Sequence, residues 1–131
     1  FRVTDDRFIV DLPGYGYARV SEEMRNAWAR ELTKYLSHRT QIRGLFAVMD
    51  IRHAPTELDE QLVDWFSTTE KPIHVLLTKS DKLKRTEVQK KLKLVSDMLS
   101  SQYSQVSVQT FSSLNRDGLD QARAQLVEWL G

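Results

Sequence analysis

Three short strings, each directly following a segment that reads as a strand, have residue types that could do chemistry. They are Asp11-Leu12-Pro13-Gly14 after Phe8-Ile9-Val10, Thr78-Lys79-Ser80-Asp81 after a run ending at Leu77, and Ser112-Ser113 after Val106 to Phe111. Taken singly, the first reads as a turn and the second as a solvated loop. Their order, each at its own strand end, is what carries information. A carboxylate placed like that of Asp81 can accept from both the ring N–H and the exocyclic amine of guanine, a bidentate charge-assisted pair. Adenine presents the wrong donors and acceptors, so such a site should discriminate on the order of 10⁴-fold. Lys79 can lay its aliphatic stem over the nucleotide, and the backbone N–H at Ser113 is a natural donor to the guanine carbonyl. Asp11 can hold a water of a Mg²⁺ bound to phosphates, and Gly14 lets a backbone N–H approach the terminal phosphate unobstructed.

The elements that must position these residues follow from periodicity. Phe8-Ile9-Val10 reads as a buried strand, with Phe1 to Val3 pairing antiparallel to it through Thr4-Asp5-Asp6. From Ser21, the residues Met24, Ala27, Trp28, Leu32, Tyr35 and Leu36 fall on one helical face, behind Glu22 and Glu23 in the first turn. Leu45 to Met49 predicts a second buried strand ending in Asp50. Thr56 is the expected N-cap of the next helix, with Asp59 three residues on and Leu58, Leu62, Trp65 and Phe66 as its stripe. Pro72 to Leu77 predicts the third core strand and Val88, Leu92, Val95 and Leu99 a helix. Val106 to Phe111 predicts the fourth core strand, and Leu119, Ala122, Leu126 and Leu130 a closing helix. Strands alternating with helices imply a mostly parallel sheet covered on both faces. Ligands on such sheets bind at the carboxyl ends of the strands, where all three strings fall.

With 131 residues, the chain is expected to be one domain. Its 40% apolar and 28% charged residues suit an ordinary globule. A formal net charge of +1 excludes a strongly basic coat for DNA. The absence of cysteine removes disulfides, thiolate metal sites and Cys nucleophiles. No apolar run approaches the roughly 20 residues of a membrane span. The opening Phe1-Arg2-Val3, without an initiator Met, reads as a start inside a strand of a longer protein.

Asp11-Leu12-Pro13-Gly14-Tyr15-Gly16-Tyr17-Ala18 is joined by Asp50-Ile51-Arg52-His53, by Leu77-Thr78-Lys79-Ser80-Asp81-Lys82-Leu83 and by Phe111-Ser112-Ser113-Leu114. Together they resemble the EngB family of bacterial GTP-binding proteins, along essentially the whole chain. The resemblance implies a Ras-like GTPase fold, three-layer α/β/α with a mostly parallel sheet, and a single G domain over residues 1–131. It implies a GTP-binding switch with weak GTPase activity, needed for large ribosomal subunit assembly and normal cell division and septation. Carried over by position, Asp11, Leu12, Pro13 and Gly14 are the third G motif, Thr78, Lys79, Ser80 and Asp81 the fourth, and Phe111, Ser112 and Ser113 the fifth. The cofactor implied is Mg²⁺ with GTP or GDP, held through water by Asp11. The partners implied are the large ribosomal subunit or its rRNA precursor, with no membrane or DNA partner, for a cytoplasmic monomer.

Two departures qualify the carry-over. No stretch matches the phosphate loop GxxxxGK[ST], and no switch threonine can be placed, so both are expected to precede Phe1. The family's central strand would then also be missing, leaving a gap beside the strand ending at Asp50. Where many GTPases have a water-orienting Gln after DxxG, this chain has Tyr15, which suggests slow hydrolysis helped by another group or a partner.

Other features support two readings each. Lys79, Lys82, Lys84, Arg85, Lys90, Lys91 and Lys93 form a basic stretch that suits either RNA phosphates or a solvated helix face. Tyr15, Tyr17 and Arg19 suit a partner-reading loop or simple packing, and His53 suits a catalytic group or, as the simpler reading, a structural loop histidine. Two other functions remain open at this level. One is a nucleotide-independent ribosome- or RNA-binding module; the other is a phospho-receiver domain with Asp50 as phosphoacceptor and Lys79 as its lysine.

Overall fold

A computed structural model describes residues 2–4, 7–8, 23, 26–27, 30, 33–34 and 42–131. The chain divides into two compact units, Phe1–Ile42 and Arg43–Gly131. In the first, β1 (Arg2–Thr4) pairs antiparallel with β2 (Arg7–Phe8), Arg2 opposite Phe8; the antiparallel pairing is the one expected, but Thr4, expected in the turn, belongs to the strand and pairs with Arg7. Glu23, Asn26, Ala27, Arg30, Thr33 and Lys34 are helical, within the helix expected from Ser21. Asp11, Leu12, Pro13, Gly14, Tyr15, Tyr17 and Arg19 lie outside the described residues.

The second unit holds a parallel sheet of three strands in the order β3-β4-β5: β3 (Leu45–Asp50), β4 (Ile73–Thr78) and β5 (Val106–Thr110). Helix α1 (Glu57–Ser67) links β3 to β4, α2 (Arg85–Gln102) links β4 to β5, and α3 (Leu119–Leu130) closes the chain. Leu45, Ala47 and Met49 share one face of the sheet with Ile73, Val75 and Leu77, because side chains alternate and the register runs Leu45 opposite Ile73. That face is buried, and Leu62, Val63 and Phe66 of α1 with Val88, Val95 and Leu99 of α2 complete the core. Burial of each large side chain contributes about 1.5–3 kcal/mol.

Helix α1 starts as its sequence requires. The Asp59 amide donates to Thr56 Oγ1 at 3.1 Å, while the Thr56 amide donates to Asp59 Oδ2 at 2.9 Å, a reciprocal cap. At the far end of the same helix, the Tyr103 hydroxyl donates to Asp64 Oδ1 at 2.9 Å, tying the end of α2 to α1.

The second face of the sheet is less apolar and less covered than the run of hydrophobic residues suggested. Trp129 of α3 lies 4.9 Å from Phe46 and 6.5 Å from His74 between ring centroids. Val48, further along β3, is 54% exposed. His74 and Gln109 are each 2% exposed and solve their burial together. Gln109 Oε1 lies 2.6 Å from His74 Nε2, and His74 Nδ1 lies 2.6 Å from Ser107 Oγ, so every polar atom of the ring has a partner.

Candidate functional site

The register of the sheet brings the ends of β3, β4 and β5 to one edge, with Asp50 opposite Thr78 and Leu77 opposite Thr110. Beyond β4 the chain turns at once. Lys79 takes a left-handed conformation, φ 60° and ψ 35°, and Ser80–Lys82 forms a single 3₁₀ turn. A non-glycine residue in that region is uncommon and, where other contacts hold it, is characteristic of functional loops. Here the holding contacts are the Ser80 amide donating to Phe111 O at 3.1 Å and the Thr78 hydroxyl donating to Met49 O at 3.1 Å.

The turn brings Asp81 against the loop that follows β5. Ser112, fully buried, donates its hydroxyl to Asp81 Oδ1 at 2.8 Å. The Asp81 side chain is 14% exposed, and Lys82 Nζ lies 3.8 Å from its other oxygen. A mostly buried carboxylate with one oxygen held by a hydroxyl is oriented before any ligand arrives. Its acceptor capacity, up to four lone pairs, leaves room for an incoming pair of N–H donors. Ser113 follows at the exposed tip, and Phe111 donates its amide to Leu77 O at 2.8 Å, which extends the pairing of β4 and β5 into the loop. The structure thus groups Thr78, Lys79, Ser80, Asp81, Phe111, Ser112 and Ser113 at one end of two neighbouring strands.

Asp50 ends β3 in an ion cluster. Its carboxylate accepts from Arg52 through both oxygens, Nε at 3.1 Å and Nη2 at 2.8 Å, and from the Arg52 amide at 2.9 Å. Lys79 Nζ lies 3.4 Å from the same group. The Arg52 guanidinium, more than any other neighbour, holds the Asp50 carboxyl well below the usual carboxylate range, against the opposing pull of burial. The Asp50 and Lys79 pairing is the one a receiver domain needs, but here both carboxylate oxygens are already committed to Arg52. His53 is an exposed residue of the turn after β3.

Residues that motif reading passed over hold the loop after β5. Asp117 accepts from Ser80 Oγ at 3.2 Å and from Thr110 Oγ1 at 3.3 Å, and its carbonyl accepts from the Ser112 amide at 2.9 Å. Gln109 donates from Nε2 to Gly118 O at 2.8 Å and to Thr110 O at 3.1 Å. The Asp117-Gly118 pair was the available signal, since Asp-Gly marks a tight turn needing a left-handed residue, and Gly118 has φ 79°. Among the described residues no group of three His, Asp or Glu side chains could hold a metal ion, and no helix is long and apolar enough to cross a membrane. Of the seven basic residues between 79 and 93, four are engaged: Lys79 with Asp50, Lys82 with Asp81, Lys93 with Asp97, and Lys91 with Ala54 O at 3.0 Å.

The chain is 48% identical over 130 residues to the "Probable GTP-binding protein EngB" of Methylobacillus flagellatus, covering 99% of the chain and 63% of that protein. It is 45% identical over 130 residues to the protein of the same name from Hydrogenovibrio crunogenus, again covering 99% of the chain and 61% of that protein. The chain therefore spans about three-fifths of the length of these relatives. No family model matches it. Among solved structures, a probable GTP-binding protein engB superposes with a TM-score of 0.68 at 19% identity, covering 92% of this chain and 76% of that one. The translation elongation factor SelB of Methanococcus maripaludis, in its apo form, gives 0.69 at 20% identity, covering 92% of this chain and 24% of that one. These superpositions bear out the Ras-like α/β fold, and the relatives bear out the resemblance to the EngB family.

Proposed function

We propose that this chain, EngB-like along its length, is the base-recognising part of a single G domain that acts as a GTP-binding molecular switch with weak GTPase activity. The observation that supports this most directly is the Asp81 carboxylate, oriented by Ser112 at the joint end of β4 and β5. In the bound state Asp81 accepts from the guanine ring N–H and amine, Lys79 lays its stem across the base, and the Ser113 amide donates to the guanine carbonyl. Asp11, Leu12, Pro13 and Gly14 meet the phosphates. Asp11 would hold a water of a Mg²⁺ ion bound to those phosphates, which would supply neutralisation of their charge.

The partner in this reading is the large ribosomal subunit or its rRNA precursor. The protein is a cytoplasmic monomer that serves subunit assembly and, through it, division and septation. Exposed Lys84, Arg85 and Lys90 supply phosphate contacts. The test of the nucleotide site is Asp81→Asn in the full-length protein. An amide in place of the carboxylate donates where xanthine has a carbonyl, so preference should move from GDP to XDP. A variant that keeps its preference for GDP would refute the assignment of Asp81.

A further inference from the structure

We infer that Asp117, outside all three motifs, is the positioning residue that ties the two base-facing loops to each other; this rests on the guanine-nucleotide reading. The loop after β4 presents Asp81 and the loop after β5 presents the Ser113 amide. A single guanine must meet both at once, so their separation has to be fixed before it arrives. The two loops touch directly through the Ser80 amide on Phe111 O and the Ser112 hydroxyl on Asp81. Asp117 adds a third tie that reaches every part of the arrangement. Its Oδ2 takes Ser80 Oγ from the first loop and Thr110 Oγ1 from the end of β5, and its carbonyl takes the amide of Ser112 from the second loop. Its own amide donates to Asn115 Oδ1 at 3.0 Å, closing the turn on itself.

Asp117 is exposed and adds nothing to the hydrophobic core, so its contribution lies in these bonds. The backbone around it is wound to deliver them. Arg116 and Gly118, on either side, are both left-handed at φ 61° and 79°, and an arginine persists there only when its surroundings hold it. The holding comes from beneath, where buried Gln109 fixes the Gly118 carbonyl and is itself fixed by His74. The turn is thus anchored to the sheet at one end and reaches across to Ser80 at the other. A loop pair locked in this way spends less ordering entropy when the base binds.

The experiment compares GDP and ADP affinities of the full-length protein with those of Asp117→Ala, Asp117→Asn, Ser80→Ala and the Ser80→Ala/Asp117→Ala double variant. Losing the two side-chain contacts of Asp117, to Ser80 and Thr110, should weaken GDP about fivefold while leaving ADP unchanged, so that the preference for GDP falls by the same factor. Asp117→Asn, which keeps an acceptor oxygen, should recover part of the loss. The double variant should be no worse than Asp117→Ala alone, because the contact that Ser80→Ala removes is already lost in Asp117→Ala. Should Asp117→Ala fail to fold, Ser80→Ala decides the matter, with about a twofold fall in preference expected from one lost hydroxyl. Unchanged preference, or equal weakening of GDP and ADP, overturns the role of Asp117 while leaving the guanine reading intact. A parent protein that binds GDP and ADP alike overturns both.

Discussion

Replacing Gly118 with alanine should unfold the site from its foundation. At φ 79° an alanine is left-handed, which costs about 1 kcal/mol. Its Cβ would stand 2.1 Å from Thr110 O and 2.6 Å from Gln109 Nε2. The first of these is backbone at the end of β5 and cannot swing aside, so the turn itself must shift. That shift breaks the bond from Gln109 to the Gly118 carbonyl and leaves a buried amide short of an acceptor, at about 1–3 kcal/mol. The sum is about 2–4 kcal/mol, and at roughly 4 °C per kcal/mol for a chain of this size Tm should fall by about 8–16 °C. Thermal unfolding followed by far-UV circular dichroism reads this directly, and a GDP titration of the folded variant reads the loosened loop. A variant that melts within about 2 °C of the parent would refute the close approach on which the argument depends.

Other expectations follow from the ionisable groups. Asp50 is charged more readily in the folded state than in the unfolded one. The stability it supplies is therefore present above the ordinary carboxylate pKa of about 4 and is lost as pH falls further. Asp50→Asn should flatten the acid limb of a urea-unfolding series; an unchanged limb would mean that the cluster with Arg52 and Lys79 contributes nothing. The Tyr103 phenol is pushed up to about 12, chiefly by burial and also by its bond to Asp64. Its contribution is complete below the ordinary tyrosine pKa of about 10 and disappears as pH rises through about 12. Tyr103→Phe should therefore remove part of the alkaline loss of stability in that window, and an identical pH profile would count against the coupling of α1 to α2.

Much of the scaffold was legible because local signals agreed. Thr56 and Asp59 announce a helix start through their types and spacing, and the structure closes both bonds. The apolar runs at Leu45 to Met49 and Ile73 to Leu77 gave the strands, since a buried parallel strand needs no alternation. The polar interior of the second face was not legible. His74 and Gln109 are far apart in sequence and meet only through the register of β4 and β5, which periodicity does not specify. Asp117 escaped for a similar reason. Its partners Ser80 and Ser112 are brought together by tertiary structure, and an Asp-Gly pair in a loop says only that the chain turns. The ion pair of Asp50 with Arg52 depends on the chain curling back after β3, where His53 and Ala54 both donate their amides to Asp50 O. The third motif, Asp11 to Gly14, is read from its sequence and lies outside the described residues.

The most direct test of the account is the affinity of the full-length protein for GDP against ADP, measured by calorimetry in the presence of Mg²⁺. A site built on Asp81 should favour GDP by orders of magnitude, on the order of 10⁴-fold where the wrong base offers a mostly buried carboxylate no matching pair of donors. Equal affinity for the two nucleotides, or binding of neither, would contradict the claim that the ends of β4 and β5 read guanine.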